Sequence, residues 1–269
     1  MNSDLTPDLI QRALPTTTIG RAVEYYAQLG STNALVRQRA RAGQPEGLVV
    51  LADEQTAGRG RLGRSWAAPP GSSLLCSVLL RPAWLAPTDA FLLTMLAGVA
   101  LCDAVEQLAP LHARLKWPND LLLPTTSGYR KAAGVLSELE LAGDTIGWAV
   151  LGMGINVSWS PQGLVDGRDL ATQATSVSAA LGSPVERLAL LRALLVQLDH
   201  GYTALRQGQR SALFEQWRGR LATLGQPVHV HLPAGELRGI AEEVEPSGAL
   251  RVRDREGVLH TVVAGDVGS

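Results

Sequence analysis

The segment Gly58-Arg-Gly60-Arg-Leu-Gly63 places two arginines among three glycines, and a further arginine, Arg64, follows at once. Guanidinium groups bind phosphate and carboxylate through paired hydrogen bonds, and glycines let a backbone approach an anion closely. These residue types therefore predict a loop that binds an anionic ligand and becomes ordered on it.

The same segment satisfies G-x-G-x-x-G, the pattern of dinucleotide-binding folds, but its surroundings do not fit that fold. Pro69-Pro70-Gly71 follows where the fold needs a helix, and no acidic residue lies between Glu54 and Asp89 to bind a ribose. An RNA-binding Arg-Gly segment would be repeated and terminal, whereas this one is single and internal. A solvated surface loop is the remaining alternative.

Lysine and asparagine are rare in this chain. Two of its 24 basic residues are lysine, Lys116 and Lys131, and beyond Asn2 the asparagines are Asn33, Asn119 and Asn156. An ammonium is a compact point charge for which a planar guanidinium does not substitute everywhere. The neighbourhoods of these residues are therefore candidate chemical sites, with chance retention as the alternative.

Composition narrows the class of protein. The chain has 269 residues and a formal net charge of −1, so no global charge attracts nucleic acid or an anionic membrane. The N-terminus lacks the pattern of a signal peptide, and the sequence has no unbroken run of about eighteen apolar residues. Cys76 and Cys102 lie in apolar segments and suit a reduced, cytoplasmic core. His229 and His231 alternate on a predicted strand without an evident third ligand, which favours surface residues over a metal site.

The elements that must position these residues alternate along the chain. A strand precedes a helix that is capped by Ser31 or Thr32 and closed by Gly43, and a long apolar helix capped around Thr88 spans 86–109. Further strands are predicted at 46–55, 71–82, 113–123, 130–143 and 144–159, and amphipathic helices at 184–208 and 209–224. Past Gly225, short alternating segments indicate a small β module built from hairpins.

Five motifs together resemble the biotin protein ligase family. They are STN at 31–33, DEQTAGRGRLGRSW at 53–66, LKWPND at 115–120, RKAAGVLSE at 130–138 and GMGINV at 152–157. The resemblance runs from about residue 23 to the end and implies an α+β fold. That fold has a mixed-sheet catalytic domain related to class II aminoacyl-tRNA synthetases and lipoate ligases, plus a small SH3-like barrel. It also implies activation of biotin by ATP and Mg²⁺ to biotinyl-5′-AMP, then transfer to a lysine of a carboxylase carrier domain.

The resemblance assigns roles residue by residue. Those expected to bind biotin are Ser31, Thr32, Asn33, Gln55, Gly58, Arg59, Gly60, Arg61, Lys131 and Gly134. Those expected to bind ATP are Arg61, Arg64, Trp66, Lys116, Asn119, Asp120 and Asn156. The expected catalytic residues are Arg61, Lys131, Lys116 and Asp120, with Asp120 also the candidate carboxylate for the metal. Helix capping, an ordinary turn at 118–120 and core packing of the tryptophans are the structural alternatives.

The expected organisation is an N-terminal extension at 1–22, a catalytic domain at 23–222 and the SH3-like domain at 223–269. The extension is too short for the winged helix of ligases that double as repressors, so DNA binding is not expected, nor is a membrane. The resemblance allows a homodimer through an exposed sheet edge. Position 30 is Gly, where the family commonly has a polar residue before STN.

Two other functions stay open at the level of sequence. A lipoate–protein ligase shares the fold and the adenylation chemistry, but would be expected to depart from GRGRLGRSW. A non-catalytic biotin-binding module would keep a vitamin pocket without needing Lys116, Asn119, Asp120 and the arginine loop together. Pyrophosphate exchange with biotin or lipoate as the acid distinguishes the three.

Overall fold

The structure, a computed structural model, describes residues 4–12, 14–165, 168–232 and 235–268. Its larger sheet contains seven strands, and the predicted motifs lie on its strands and on the connections between them. The strands are β1 Ala22–Leu29, β2 Leu48–Gln55, β3 Ser73–Leu80, β4 Arg114–Lys116, β5 Asp120–Thr125, β6 Gly128–Ala142 and β7 Thr145–Asn156.

The sheet is mixed, as the sequence predicts. Its strand order is β1-β2-β3-β7-β6-β5-β4, and β1 pairs with β2 in parallel while the other neighbours are antiparallel. Every residue of β3 is buried, which agrees with its continuous apolar run and its central position. A short two-stranded ribbon, β8 Leu164–Val165 with β9 Arg168–Asp169, lies outside this sheet.

Helices complete the core. They are α1 Pro7–Gln11, α2 Thr32–Arg41, α3 Phe91–Leu108, α4 Leu170–Gln173, α5 Val177–Leu181, α6 Arg187–Arg206 and α7 Arg210–Arg220. The predicted cap near Thr88 is wrong. Pro87–Asp89 form a 3₁₀ turn, and α3 begins at Phe91 after Ala90. The proline starts the turn, but the α-helical hydrogen bonds begin only beyond it.

Helix α3 is the central helix of the core. Together with the preceding turn, Pro87–Leu108 is long and apolar enough to cross a membrane by length and composition, and 72% of its most apolar window is buried inside the protein. It packs against α6 and α7 and against the sheet. Burial on this scale is what the core helix of a globular domain requires, so its hydrophobicity is accounted for by packing.

The segment before β1 packs against the core of the larger sheet. Leu5, Ile10 and Ile19 are buried in the core cluster. Asp199 on α6 accepts hydrogen bonds from the backbone N–H groups of Thr17, Thr18 and Ile19, each at 2.8 Å. The predicted extension therefore contributes packing to the fold.

The C-terminal β module forms a five-stranded antiparallel sheet of order β13-β12-β11-β10-β14. Its strands are β10 Pro227–Leu232, β11 Gly235–Val244, β12 Leu250–Arg253, β13 Leu259–Val262 and β14 Asp266–Gly268. The sequence shows no potential third ligand near the two histidines of β10, whereas the structure places a carboxylate beside them. The hairpin register sets Glu236 of β11 opposite His231.

This module contacts the part of the chain that contains the larger sheet, at a predicted motif. Trp117, in LKWPND, is 2% exposed and donates its indole N–H to the carbonyl of Gly248 at 2.8 Å. Its backbone N–H donates to Thr223 Oγ1 at 2.9 Å. The residues between Lys116 and Asn119 are thus fixed from the side of the small sheet.

Candidate active site

The start of helix α2 forms one end of a cleft. Ser31 caps the helix by accepting from the N–H of Ala34, as predicted. Thr32 donates through its backbone N–H to Gln55 Oε1 at 2.8 Å, and its hydroxyl lies 3.1 Å from the same oxygen. The cap and the end of β2 therefore hold three uncharged polar side chains together.

A residue that the sequence reasoning missed, Ser77, joins this group from β3. Its Oγ lies 2.7 Å from Thr32 Oγ1 and 2.6 Å from Asn33 Oδ1, and Ser77 is fully buried. The Asn33 amide donates to Glu138 Oε2 at 2.7 Å. We call Thr32, Asn33, Gln55 and Ser77 the polar cluster. Its donors and acceptors are fixed before any ligand arrives.

The loop that carries Arg59, Arg61 and Arg64, here called the arginine loop, folds back on itself as a small hairpin. The N–H of Gly60 donates to the carbonyl of Arg64 at 2.8 Å, and that of Trp66 donates to the carbonyl of Gly58 at 3.0 Å. Leu62 and Gly63 have positive φ angles of 56° and 74°. Two consecutive residues with left-handed backbone conformations reverse the direction of the chain within a few residues. The arginines of the loop therefore lie on a tight turn beside the cleft.

The Trp66 ring contacts two strands at positions that are occupied by glycine. A Cβ added to Gly154 would lie 2.5 Å from the Trp66 ring, and one added to Gly134 would lie 3.4 Å from it. The indole nitrogen of Trp66 is buried and has no hydrogen-bond partner among the described residues. A buried unpaired donor is costly, which is expected where a ligand supplies the acceptor.

The charged end of the cleft is formed by β5, β6 and the loop. Lys131 Nζ lies 2.7 Å from Asp120 Oδ1 and 5.6 Å from the centre of the Trp66 ring. Arg61 Nη1 donates to Asn119 Oδ1 at 3.2 Å. Residues predicted from three separate motifs are thus within direct contact of one another.

Three members of the polar cluster, Thr32, Asn33 and Gln55, line one cleft together with the arginine loop and the Lys131–Asp120 pair, and this cleft is open to solvent. Thirteen predicted residues line it: Ser31, Thr32, Asn33, Gln55, Arg59, Gly60, Arg61, Arg64, Trp66, Asn119, Asp120, Lys131 and Gly134. Further lining residues not predicted are Leu62, Ser65, Val135, Leu136, Gly152, Met153 and Gly154.

Three predicted residues are not part of that lining. Gly58 lies beneath the loop, where an added Cβ would be 2.2 Å from the carbonyl oxygen of Trp66. Asn156 is 2% exposed and donates to the carbonyl of Thr175 at 3.0 Å. Lys116 ends β4, directly opposite Asp120 in the strand register. Gly58 and Asn156 are placed to support the cleft, and Lys116 is near its charged end.

The cysteines take no part in this chemistry. Cys76 and Cys102 are free and buried, and burial raises the pKa of each thiol to about 12. A thiol with so high a pKa stays protonated and unreactive near neutral pH. Cys76 precedes Ser77 on β3, and its role there is to pack in the core.

Comparison with known proteins assigns the family. The profile of the Biotin/lipoate A/B protein ligase family matches residues 25–156, and that of the Biotin protein ligase C terminal domain matches residues 223–267. The biotin–[acetyl-CoA-carboxylase] ligase of Mycobacterium tuberculosis is 35% identical over 274 residues, which cover 98% of this chain and 96% of that protein. The chain belongs to the biotin protein ligase family.

Other members agree with this assignment. The bifunctional ligase/repressor BirA of Bacillus subtilis is 30% identical over 255 residues, covering 94% of this chain and 76% of that protein. The fold matches that of the Aquifex aeolicus biotin protein ligase solved with biotin and ATP, with a TM-score of 0.73 at 23% identity. That match covers 92% of this chain and 98% of the Aquifex chain.

Proposed function

We propose that this biotin protein ligase joins biotin to ATP, forming biotinyl-5′-AMP and pyrophosphate, and then transfers biotin to a lysine of a carboxylase carrier domain. The observation that supports this most strongly is the continuity of one cleft between the polar cluster and the Lys131–Asp120 pair. Biotin has an uncharged ureido head at one end and a carboxylate at the other, so a cleft with these two ends matches its chemistry.

The polar cluster suits the ureido head. That ring offers one carbonyl and two N–H groups, and it therefore needs both donors and acceptors from the protein. Thr32, Asn33 and Ser77 are buried and Gln55 is half-buried, and together they supply hydroxyls and amides without bringing a full charge. Leu136, Met153 and Trp66 supply apolar surface for the valeryl chain.

The charged end suits the adenylation step. A carboxylate oxygen of biotin forms a bond to the α-phosphorus of ATP, while the bond from that phosphorus to the pyrophosphate oxygen breaks. Two anions must approach, and fixed cations lower the free energy of that encounter. We expect Lys131 and Arg59 to contact biotin at its carboxylate end, and Arg61 and Arg64 to contact the phosphates. We expect an oxygen of the adenylate to accept from the indole N–H of Trp66, which is buried and has no partner among the described residues.

Mg²⁺ is the expected companion of ATP, and the residues present fit it. Mg²⁺ in nucleotide sites is commonly held by one or two carboxylates together with substrate phosphates. Asp120 is a carboxylate on the described cleft lining, and the Asn119 amide is beside it. When bound with ATP, the ion neutralises phosphate charge; Asp120 and Asn119 are the residues that would hold it.

Transfer completes the reaction. The carrier lysine amine attacks the acyl carbon of biotinyl-AMP, the bond to the AMP oxygen breaks, and the amine loses its proton. The names of the relatives support a carboxylase carrier domain as the partner. A homodimer, the absence of nucleic-acid binding and a cytoplasmic location stay predictions from the sequence.

The test is ATP–pyrophosphate exchange with biotin or lipoate as the only acid, followed by label transfer to a purified carrier domain. We expect exchange with biotin alone, and its loss in Lys131→Ala. Arg130→Ala is the matched control, because Arg130 precedes it on β6 and donates instead to the carbonyl of Ala171. Exchange with lipoate alone would assign a lipoate ligase, and biotin binding without exchange would assign a non-catalytic module.

A further inference from the structure

The hairpin of β10 and β11 carries a group of potential metal ligands that lies outside the cleft. His229 and His231 are two residues apart on β10, so their side chains share one face of the strand. Their ring centroids are 4.6 Å apart. Glu236, directly opposite His231 on β11, lies on the same face by register.

The ligand atoms converge. His229 Nε2 lies 2.8 Å from Glu236 Oε2, and His231 Nε2 lies 3.7 Å from Glu236 Oε1. One ligand atom from each residue falls within 4.8 Å of the other two, and over the described ranges no other such group of three occurs. Donor atoms around one first-row metal ion have separations of this order, since each lies about 2.0–2.2 Å from the ion.

The closest approach within this group joins His229 Nε2, which is shielded from solvent, to Glu236 Oε2 at 2.8 Å. In the absence of a metal ion, a proton on Nε2 pairs these two groups. Metal binding displaces protons from its ligands, so a cation that replaced this proton would contact the same two atoms together with His231 Nε2.

We propose that His229, His231 and Glu236 bind a divalent transition-metal ion, with Zn²⁺ as the reference ion. Imidazole and carboxylate ligands suit Zn²⁺, Cu²⁺ and Ni²⁺, whereas Mg²⁺ and Ca²⁺ require oxygen ligands. Three protein ligands leave a fourth position for water. Because β10 and β11 both contribute, the ion joins the two strands and stabilises the small sheet.

A neighbouring arginine, Arg238, weakens the binding of a cation at this site. Arg238, two residues after Glu236 on β11, lies opposite His229, and its Nη2 is 3.7 Å from Glu236 Oε2. Its charge is attracted to the carboxylate and repels a metal cation. Arg238 therefore lowers the affinity of the site, and removing its charge raises that affinity.

The first experiment is a calorimetric titration of the full chain with Zn²⁺, without nucleotide. We expect one site per chain, with affinity lowered at least about tenfold by His231→Gln and by Glu236→Gln. Arg238→Gln is expected to raise it about two- to fivefold. His260→Gln is the matched control, because His260 is on the same sheet and pairs with Asp254 at 2.6 Å, so its removal leaves the affinity unchanged.

A second readout locates the ion. Hydrogen exchange at residues 227–232 and 235–240 should slow when Zn²⁺ is added to the parent or to His260→Gln, and should not slow in His231→Gln. His231 is more than half exposed, so its substitution leaves the fold intact. Equal Zn²⁺ affinity in the parent, His231→Gln and Glu236→Gln, or protection elsewhere only, would overturn the proposal. Biotin ligase activity does not enter either measurement.

Discussion

Lys131 and Asp120 form an ion pair across two neighbouring strands at the charged end of the cleft, with Nζ and Oδ1 2.7 Å apart. A bulge between Leu121 and Leu122 shifts the register, so that Asp120 is opposite Gly134 while Lys131 is opposite Leu122. Bulges redirect side chains beside functional sites. Here the shift brings the ammonium over the small surface of Gly134 and holds it there by one carboxylate.

That geometry predicts that Lys131→Arg damages adenylation nearly as much as Lys131→Ala. A planar guanidinium is wider than an ammonium, and it would have to fit between Asp120 and the Trp66 ring. We expect pyrophosphate exchange to fall about 100-fold or more in both variants, the scale of losing one preorganised electrostatic contact.

Arg130→Lys is the control for this change, because it makes the reverse exchange one position earlier on the strand. It should keep parental exchange, since Arg130 contacts the carbonyl of Ala171 and not the cleft lining. Near-parental turnover in Lys131→Arg would contradict the point-charge argument.

A second prediction concerns the strand beneath Trp66. In Gly154→Ala, the new methyl would lie 2.5 Å from the indole ring, so the ring must move. Overpacking of this kind costs about 1–3 kcal/mol. We expect the KM for biotin to rise about tenfold in steady-state exchange assays. Gly219→Ala, on a helix where an added Cβ meets nothing within 4 Å, should change neither KM nor kcat.

Site residues that occur in contiguous motifs could be predicted from the sequence. Site residues that are brought together only by strand register or by packing could not. Neighbouring residues in the sequence are enough to recognise the cap at Ser31, the arginine loop and Lys131. Ser77 is one hydroxyl within an apolar strand, and only the packing of α2 on β3 brings it to Thr32. Likewise, the reason for a glycine at position 154 is seen only in the fold, where the Trp66 ring contacts it.

The same distinction explains two differences between the sequence-based expectations and the structure. Glu236 is five residues beyond His231, and only the hairpin register sets them opposite each other. The sequence predicts a start of α3 near Thr88, yet a 3₁₀ turn intervenes before Phe91. The local sequence indicates that a helix begins nearby, but tertiary packing determines the residue at which its first α-helical turn starts.

A third prediction tests the contact between the two sheets. Trp117→Phe removes the donor to the carbonyl of Gly248 and leaves that buried oxygen unpaired. The free energy of unfolding should fall by about 1–3 kcal/mol, measured by urea denaturation. Trp84→Phe is the matched control, because the Trp84 indole N–H is buried with no partner in the described part of the chain. Equal losses in both variants would show that ring size, not the hydrogen bond, matters.

A fourth prediction concerns pH. Burial alone would raise the pKa of Asp199, but the N–H groups of Thr17, Ile19 and Thr18 stabilise the carboxylate more, so its pKa lies below the usual 3.8. A lowered pKa means that the carboxylate's contribution is complete above about pH 5 and is lost as pH falls through the folded-state value. Asp199→Asn should therefore cost roughly 2–3 kcal/mol at pH 7.

The measurement is the difference in unfolding free energy between the parent and Asp199→Asn at several pH values. The difference should be constant from pH 7 to pH 5 and should shrink below about pH 4, as the parent carboxylate becomes protonated. A difference that stays constant down to pH 3 would rule out the charged form of Asp199 as its cause.

The last prediction concerns Arg61, which holds the loop to Asn119 at 3.2 Å. Biotinyl-AMP is a mixed anhydride that water or any amine can consume, so the enzyme must retain it until the carrier docks. One charge-assisted hydrogen bond contributes about 1.5–3 kcal/mol, which is roughly ten- to hundred-fold in retention. Arg61→Gly should therefore still make the intermediate but release it faster, and label exposed lysines of unrelated proteins. Arg59→Gly, which loosens the same loop, is the comparison: equal bystander labelling in both would assign retention to loop closure, and unchanged release in Arg61→Gly would transfer the role to Arg59 or Arg64.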